Sequence, residues 1–257
     1  MIKMKFGSNH YFYSLMPNDY FQFKQFIVKQ GACAMKVTTD ACLFGAWVAA
    51  TINQQLPSVN RLLDIGTGTG LLSLMLVQKC NAQIDAVEID KPTAIQAQQN
   101  FVASPWNVRL QVYNTSIQQL NPSHHQNYNF IIANPPFFDN DLKSNDTKRN
   151  LALHGASLSL EELLTAIQKL LVNDGEFAIL LPYHRTDYFI EIATKKGFHL
   201  HMKNLVKQTP HHTYFRAMLW FGYKAKKMQQ TEIIIKEKSV YSSVFAALLK
   251  DYYLKDF

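Results

Sequence analysis

The sequence lacks the hydrophobic segments that mark a secreted or membrane-spanning protein. Its basic start, residues 1–10, is followed by no apolar stretch of signal-peptide length. The longest apolar run, residues 41–50, is too short to cross a bilayer and is typical of a buried helix. We therefore expect a soluble, cytoplasmic protein with no membrane partner.

Cysteine is also scarce, with three residues in a chain of 257. Cys33, Cys42 and Cys80 form neither a Cys-x-x-Cys pair nor an even-numbered framework, so the pattern favours reduced, buried thiols over disulfides. The paired histidines at 124–125 and 211–212 have no cysteine or carboxylate partner at a zinc-like spacing. The sequence thus predicts no metal site.

The length suits one large α/β domain with short additions, and 47% hydrophobic residues are enough for a buried core. The net charge of +7 is distributed unevenly. Residues 1–45 and 195–257 carry 17 basic and 6 acidic side chains, a net +11, whereas residues 46–194 carry 9 and 13, a net −4. Such ends would attract a polyanion such as nucleic acid, although a solvated lysine-rich surface explains the same charges.

The most informative segment runs from an apolar strand into a glycine turn and then into a helical run. Leu62-Leu63-Asp64-Ile65 is followed by Gly66-Thr67-Gly68-Thr69-Gly70. Glycines at alternate positions let the backbone bend sharply and lie against a ligand with no Cβ between them, as a nucleotide-like cofactor requires. Gly66, Gly68, Gly70 and the strand-end Asp64 are therefore candidate cofactor-binding residues.

A second apolar strand carries Glu88, which comes 24 positions after Asp64. A carboxylate at the end of this strand suits a ribose diol, since it can accept two hydroxyl hydrogen bonds. The spacing Gly-x-Gly-x-Gly differs from the dinucleotide pattern Gly-x-Gly-x-x-Gly, which argues against NAD. A tight structural turn with a solvated glutamate is the simpler alternative.

From residue 61 onward, predicted strands and helices alternate, which is typical of a parallel sheet with helices on both faces. We expect strands at 61–65, 84–88, 108–112, 128–133, 175–181, 198–207 and 213–223, and helices at 70–79, 91–102, 159–171 and 185–195. The predicted fold is α/β, a doubly wound, mostly parallel, seven-stranded Rossmann-like sheet. Residues 46–257 would form this domain, and residues 1–45 an extension covering its cofactor and substrate cleft.

Within the extension, residues 21–28 alternate in hydrophobicity like a half-exposed strand and suggest a small hairpin packed on the main domain. Thr39 or Asp40 is the expected N-cap of the following helix. Because this helix start is expected near the cofactor, Lys36 and Thr39 are candidate cofactor-binding residues.

The second informative motif is Asn134-Pro135-Pro136-Phe137, which ends the apolar strand at 128–133. Two prolines fix the turn and offer no N–H, so its carbonyls remain available as acceptors. The Asn134 side chain and the Pro135 carbonyl could both accept from one exocyclic amine while Phe137 stacks on the attached planar group. These three residues are the catalytic candidates, with Asn134 also near the cofactor, although a proline turn with a core Phe137 explains the tetrapeptide alone.

Basic residues that could contact a polyanionic substrate follow this motif and recur near the C-terminus. The polar loop at 139–150 is long enough to form a lid or a substrate contact. The candidates are Lys143, Lys148 and Arg149 in that loop, and Lys203, Lys207, Lys224 and Lys226 in the basic C-terminal part.

The glycine turn and Glu88 together resemble the cofactor motifs of class I S-adenosylmethionine-dependent methyltransferases. This resemblance implies that the turn holds the methionine part of S-adenosylmethionine and that Glu88 holds its ribose. It also implies a contact of Ser116, in the turn after the third strand, with the adenine. The Asn-Pro-Pro-aromatic turn resembles the catalytic motif of amino-methyltransferases acting on adenine N6, guanine N2 or glutamine.

A narrower resemblance covers nearly the full chain. Together with the two motifs, the segments Phe23–Phe26, Met35–Asp40, Gly45–Trp47 and Ala247–Leu254 resemble the bacterial tRNA1(Val) adenine-37 N6-methyltransferase family. Phe137 departs from the tyrosine of many relatives, which keeps ring stacking but removes a hydroxyl. The resemblance implies methylation of N6 of adenine-37, beside the anticodon, with the tRNA anticodon stem-loop as partner.

Other functions share parts of this pattern. A glutamine methyltransferase of peptide release factors has the Asn-Pro-Pro turn but usually a separate helical N-terminal domain. A DNA adenine methyltransferase would need a target-recognition domain that is not visible here. A non-enzymatic RNA-binding protein would explain the basic ends but not the two motifs, and an NAD oxidoreductase fits worst.

Overall fold

A computed structural model of the protein describes residues 19–56, 58–120, 128–135 and 158–254. In these ranges the chain begins with a two-stranded antiparallel hairpin, β1 (Tyr20–Gln22) and β2 (Ile27–Lys29). The long helix α1 (Thr39–Gln55) follows. Its N-cap is Thr38, whose side chain accepts a hydrogen bond from the Ala41 N–H, so the expected cap at Thr39 or Asp40 is wrong by one residue or two.

Strands and helices then alternate, as the sequence predicts. The first units are β3 (Arg61–Ile65), α2 (Leu71–Val77), β4 (Gln83–Glu88), α3 (Lys91–Val102), β5 (Leu110–Asn114) and β6 (Tyr128–Ala133). The later units are α4 (Leu160–Leu170), β7 (Leu171–Pro182), α5 (Thr186–Lys195), β8 (His199–Lys207), β9 (Tyr214–Gly222) and β10 (Gln229–Ile234). A short hairpin, β11 (Lys236–Glu237) and β12 (Val240–Tyr241), precedes the last helix, α6 (Ser243–Leu249).

The central sheet has the strand order β10-β8-β9-β7-β6-β3-β4-β5. Among the described strands of this sheet, only β9 runs antiparallel to its neighbours, so the sheet is mostly parallel. The seven predicted strands are all present, and β10 adds an eighth that pairs with β8 at the sheet edge. We call the end of the sheet at which its parallel strands finish the carboxyl edge, and the opposite end the amino edge.

Successive residues of the central strands point into different hydrophobic cores, as expected for a sheet covered on both faces. Leu62 of β3 and Phe130 of β6 belong to the core that contains α1, α2 and α6. Leu63 and Ile131 belong to the core that contains α4 and α5. None of the helices in the described ranges has the length and apolar character needed to cross a bilayer.

The N-terminal hairpin and the end of the described chain pack together on the first core. Phe23 forms a β-bridge with Tyr253, and the Lys24 N–H donates to the Tyr252 carbonyl at 2.7 Å. The Tyr252 hydroxyl in turn donates to the carbonyl of Met75 in α2 at 3.0 Å. These contacts fix the hairpin against the core that contains α2, the helix that follows the glycine turn.

Candidate active site

The glycine turn between β3 and α2 has a backbone that favours glycine. Gly66, Gly68 and Gly70 have φ angles of +69°, +55° and +83°. A Cβ at Gly70 would lie 2.5 Å from the Phe101 ring, so this position has no room for a side chain. A Cβ at Gly66 or Gly68 would have no neighbouring heavy atom within 4 Å. The turn therefore presents bare backbone to open space at two of its three glycines.

Asp64 lies fully buried beneath this turn. Its Oδ2 accepts hydrogen bonds from the hydroxyls of Thr67 at 2.7 Å and Ser73 at 2.8 Å. Its Oδ1 is buried and has no hydrogen-bond partner among the described residues. Burial raises the pKa of this carboxyl to about 6, although both hydroxyl donors oppose the rise.

Glu88 ends β4 beside the turn and is only partly buried. Its Oε2 accepts from the Gly68 N–H at 3.0 Å, and its Oε1 accepts from the Asp90 N–H at 3.0 Å. A carboxylate has about four acceptor positions, so each oxygen keeps capacity for a further donor. The two backbone bonds thus orient Glu88 and leave it able to bind a diol.

Strand pairing places Asn134 next to the glycine turn. Ile65 of β3 pairs with Val87 of β4 on one side and with Ala133 of β6 on the other. The chain consequently leaves the sheet on three adjacent strands, spaced about 4.8 Å apart, at Gly66, Glu88 and Asn134. The strand order also reverses between β3 and β6, and open α/β sheets bind ligands at such a switch point.

Asn134 is partly buried, Pro135 is buried, and the Asn134 side chain makes no hydrogen bond to another described residue. Its amide oxygen is therefore an available acceptor within the described part of the chain. The predicted substrate contacts Phe137, Lys143, Lys148 and Arg149 lie outside the described residues.

The segment between the hairpin and α1 is fixed at both ends near the carboxyl edge. The Lys29 N–H donates to the Asn100 Oδ1 at 2.9 Å, beside the glycine turn. Asp40, at the start of α1, forms an ion pair at 2.7 Å with Arg216, which lies opposite Pro182 at the carboxyl edge. Lys36 of this segment and Thr39, the first residue of α1, are exposed and have no hydrogen bond to the glycine turn among the described residues.

Ser116 occupies the position expected for it, after β5 at the carboxyl edge. It is partly buried and begins the 3₁₀ helix Ile117–Gln119. Neighbouring Asn114 pairs with Glu88 in the sheet, and its side chain donates to the Glu88 carbonyl at 2.9 Å. Ser116 is thus near the Glu88 side of the turn.

Comparison with known proteins identifies the family. Residues 47–186 match the model of the methyltransferase small domain. The chain is 40% identical to a tRNA1(Val) (adenine(37)-N6)-methyltransferase of Parabacteroides distasonis, over 93% of this chain and all of that protein. It is 42% identical to the protein of the same name from Pseudoalteromonas translucida, over 91% of this chain and 98% of that protein. The chain belongs to the tRNA1(Val) (adenine(37)-N6)-methyltransferase family.

The fold agrees with this membership. A crystal structure of a predicted O-methyltransferase from Agrobacterium tumefaciens superposes with a TM-score of 0.62 at 14% identity, over 82% of this chain and 96% of that chain. The chain thus has the class I methyltransferase fold, and its family membership makes it a methyltransferase that depends on S-adenosylmethionine, as the sequence predicts.

The described site offers hydrogen-bond acceptors and open surface of the kind that this cofactor requires. S-adenosylmethionine carries a ribose diol and an α-ammonium, which need acceptors, and a flat base, which needs open surface. Glu88 and the unpartnered Oδ1 of Asp64 supply anionic acceptors, and Gly66 and Gly68 leave space above the turn. The geometry thus fits the cofactor. Within the described ranges, no three His, Cys, Asp or Glu side chains group in a way that could hold a metal ion.

The four lysines predicted in the C-terminal part of the methyltransferase do not form one surface. Each has an acidic partner: Lys203 with Asp187 at 3.5 Å, Lys207 with Glu232 at 3.0 Å, Lys224 with Asp174 at 3.8 Å, and Lys226 with Glu176 at 2.5 Å. Lys207 ends β8 at the carboxyl edge. Lys224 and Lys226 follow the end of antiparallel β9 and therefore lie at the amino edge, away from Asn134.

Several residues at the site had not been singled out from the sequence. Asn100 of α3 is buried and bonds both to the glycine turn and to the hairpin. Tyr183 and Arg185 follow β7 at the carboxyl edge, and Tyr214 begins β9 beside them. A strand-end position was an available signal for Tyr183, whereas Asn100 has no signal in a single sequence.

Proposed function

We propose that this methyltransferase transfers the methyl group of S-adenosylmethionine to N6 of adenine-37 in tRNA1(Val). The names of relatives about 40% identical over nearly the whole chain support this substrate. The structural observation that best supports this reaction is the position of Asn134, at the end of the strand next to the one that leads into the glycine turn. An amine held by Asn134 would lie beside a cofactor held by that turn.

In the proposed site, the glycine turn and Asp64 bind the methionine part of the cofactor, and Glu88 binds the ribose. Ser116, Lys36 and Thr39 are proposed to contact the cofactor at the rim. When bound, the cofactor supplies an activated methyl group on a sulfonium, whose leaving group needs no protonation. The chain therefore has only to hold and orient the acceptor amine.

Asn134 and Pro135 are proposed to do so by accepting both amine hydrogens, through the side-chain oxygen and the main-chain carbonyl. This arrangement keeps the nitrogen lone pair pointed at the methyl group. Phe137 is proposed to stack on the adenine, and Lys143, Lys148 and Arg149 to contact the RNA backbone. Proximity and alignment would provide most of the rate enhancement.

The test is transfer of labelled methyl from S-adenosylmethionine to an unmodified tRNA1(Val) transcript, followed by nucleoside digestion. We expect N6-methyladenosine with the natural transcript and none when adenine-37 is replaced by guanine. Asn134→Ala should lower kcat by about 100-fold, because a hydrogen bond aligned with the reacting amine contributes about 3 kcal/mol. Cofactor affinity, measured by calorimetry, should be unchanged.

Asn129→Ala is the matched control, since Asn129 lies at the other end of the same strand and accepts backbone N–H bonds from Asn60 and Arg61. Its kcat should stay near the wild-type value. Methyl transfer to a protein acceptor, or to another nucleoside of the transcript, would refute the proposed substrate. A folded Asn134→Ala protein with wild-type kcat would refute the role of the turn.

A further inference from the structure

An exposed tyrosine lies beside the strand that carries Asn134. Tyr183 follows β7 directly, in a 3₁₀ helix that ends at Arg185, and is 41% exposed. Ala133 of β6 pairs with Ile179 of β7, so Asn134 is level with Leu180. Tyr183 comes three residues later, so its backbone lies about 10 Å beyond Asn134 along the strand direction. Tyr183 thus lies at the carboxyl edge, at the end of the strand next to that of Asn134, and its ring is exposed.

A second aromatic ring supports Tyr183 from the sheet side. The ring centroids of Tyr183 and Tyr214 are 5.2 Å apart, with an interplanar angle of 48°. Tyr214 is itself held in place, because its hydroxyl donates to Glu232 at 2.5 Å and the Lys207 ammonium lies 4.5 Å from its ring centroid. Lys207 also pairs with Glu232 at 3.0 Å. The inner ring is therefore fixed, and the outer ring faces solvent.

Basic residues lie close in the chain to each of these tyrosines, at the same carboxyl edge. Arg185 is partly buried and has no ion-pair partner among the described residues. His211 and His212 are exposed in the connection between β8 and β9. A planar aromatic surface at the same edge as a guanidinium and two imidazoles matches an unpaired nucleotide, which offers a base to stack on and a phosphate to bind.

We propose that Tyr183, supported by Tyr214, stacks on an unpaired nucleotide adjacent to the methylated adenine, and that Arg185 contacts the neighbouring phosphate. This inference rests on the proposed function, because the target adenine is taken to occupy the Asn134 site. A base displaced into that site leaves its neighbour in the loop without a stacking partner, and the Tyr183 ring replaces the lost contact. The pair thus acts as a platform that orients the anticodon loop.

The test combines kinetics with direct binding. The probe is an anticodon stem-loop RNA with 2-aminopurine next to the target adenine, whose fluorescence is quenched when the base stacks. Tyr183→Ala should raise the KM for tRNA and the Kd for the stem-loop by about tenfold, since stacking on an aromatic ring contributes about 1–3 kcal/mol per base. Quenching on binding should be lost, and cofactor affinity should not change. Tyr183→Phe should behave like wild type.

Two further variants keep the result unambiguous. Tyr188→Ala is the matched control: Tyr188 is 40% exposed on α5, and its hydroxyl bonds to Glu161 of α4, away from the site. It should leave KM and quenching unchanged. Tyr183→Leu keeps an apolar side chain without a stacking face, so it should resemble Tyr183→Ala.

The outcomes separate this inference from the proposed function. If wild type methylates the transcript and Tyr183→Ala keeps the wild-type KM, Kd and quenching, the platform is refuted and the function stands. Equal defects in Tyr188→Ala would also refute it. If wild type fails to methylate adenine-37, the proposed function is wrong, and the stem-loop measurement still decides whether Tyr183 stacks on RNA.

Discussion

Among individual side chains, Asp64 combines complete burial with an unpartnered carboxylate oxygen. An unpaired buried acceptor destabilises a folded protein unless something binds it. Thr67 and Ser73 satisfy only its other oxygen. We propose that the missing partner is the ammonium of the methionine part of S-adenosylmethionine, so that Asp64 serves as the acceptor for a cationic ligand.

This assignment predicts a pH dependence of cofactor binding. Burial raises the pKa of Asp64 from 3.8 to about 6 in the ligand-free protein, so the carboxyl is neutral below that pH and anionic above it. An ammonium binds the anion, so affinity for S-adenosylmethionine should rise by up to about tenfold per pH unit below pH ~6 and level off above it. Calorimetry in buffers of different ionisation enthalpy should detect proton release on binding in the acidic range.

The raised pKa of Asp64 makes the free energy of unfolding change with pH in the direction opposite to cofactor affinity. Because the folded pKa lies above the ordinary value, the contribution of Asp64 to the free energy of unfolding is greatest below about pH 4 and is lost as the pH rises to about 6. Asp64→Asn should remove both pH effects. Asp187→Asn, at a side chain that is 95% exposed, should remove neither. Cofactor affinity that stays constant across this pH range would contradict the assignment.

Among the helices, α3 connects the glycine turn to the N-terminal extension through Asn100. Its Nδ2 donates to the Thr69 carbonyl at 2.9 Å and to the Lys29 carbonyl at 2.8 Å, and its Oδ1 accepts from the Lys29 N–H. Gln96, one turn earlier, accepts from the Ala32 N–H at 3.4 Å. The glycine turn and the extension are therefore both held by hydrogen bonds to α3.

Loss of the Asn100 hydrogen bonds should weaken cofactor binding more than it slows methyl transfer. Asn100→Ala leaves the partly buried Lys29 N–H and the carbonyls of Lys29 and Thr69 without this partner, so the free energy of unfolding should fall by about 2–4 kcal/mol. The KM for S-adenosylmethionine should rise about tenfold, since a looser turn binds less tightly. The kcat at saturating cofactor should change little, because Asn100 does not reach Asn134.

Denaturant titration and steady-state kinetics measure the two effects. Asn107→Ala is the control, because Asn107 is exposed and its side chain has no hydrogen bond to a described residue. A fall in kcat without a change in the KM for the cofactor would show that Asn100 acts elsewhere.

The elements that the sequence predicts best are those with local start and stop signals. The bounds of α3 were predicted without error, because Asp90 caps the helix and Pro92 suits its first turn. The α4 helix begins at a capping box formed by Ser159 and Glu162. In both cases the signal lies within a few residues of the boundary.

Features that depend on distant partners were not predicted. The strand β10 is mostly exposed, and its buried and exposed residues hardly alternate. It forms a strand because its backbone pairs with the edge of β8, about 30 residues earlier in the chain. The role of Asn100 depends on Lys29, which is 71 positions away. The carboxyl-edge arrangement of Asp64, Glu88 and Asn134 could be predicted because parallel strands end together.

Across the whole molecule, the positive charge of the two terminal parts is divided between both edges of the sheet. Lys207 and Arg216 of the C-terminal part lie at the carboxyl edge with the proposed active site, together with Arg185 of the central part, whereas Lys224 and Lys226 lie at the amino edge. Net charge alone does not separate these groups, whereas strand direction does. A tRNA bound at Asn134 would meet the first group.

This division predicts which charges control the salt dependence of RNA binding. Affinity for the tRNA should fall steeply with salt, because each neutralised phosphate releases counterions, while cofactor affinity should respond little. Arg185→Ala should reduce the slope of log affinity against log salt by about 0.7 if one single-stranded phosphate contact is lost. Lys224→Ala, at the amino edge, should leave the slope unchanged.

Filter binding or fluorescence titration over a series of potassium chloride concentrations gives the two slopes directly. Both substitutions remove one positive charge, so any difference between them reports position and not net charge. A slope that changes equally in both variants would mean that the RNA responds to overall charge. A change in Lys224→Ala alone would place the tRNA across the amino edge and would contradict an active site at Asn134.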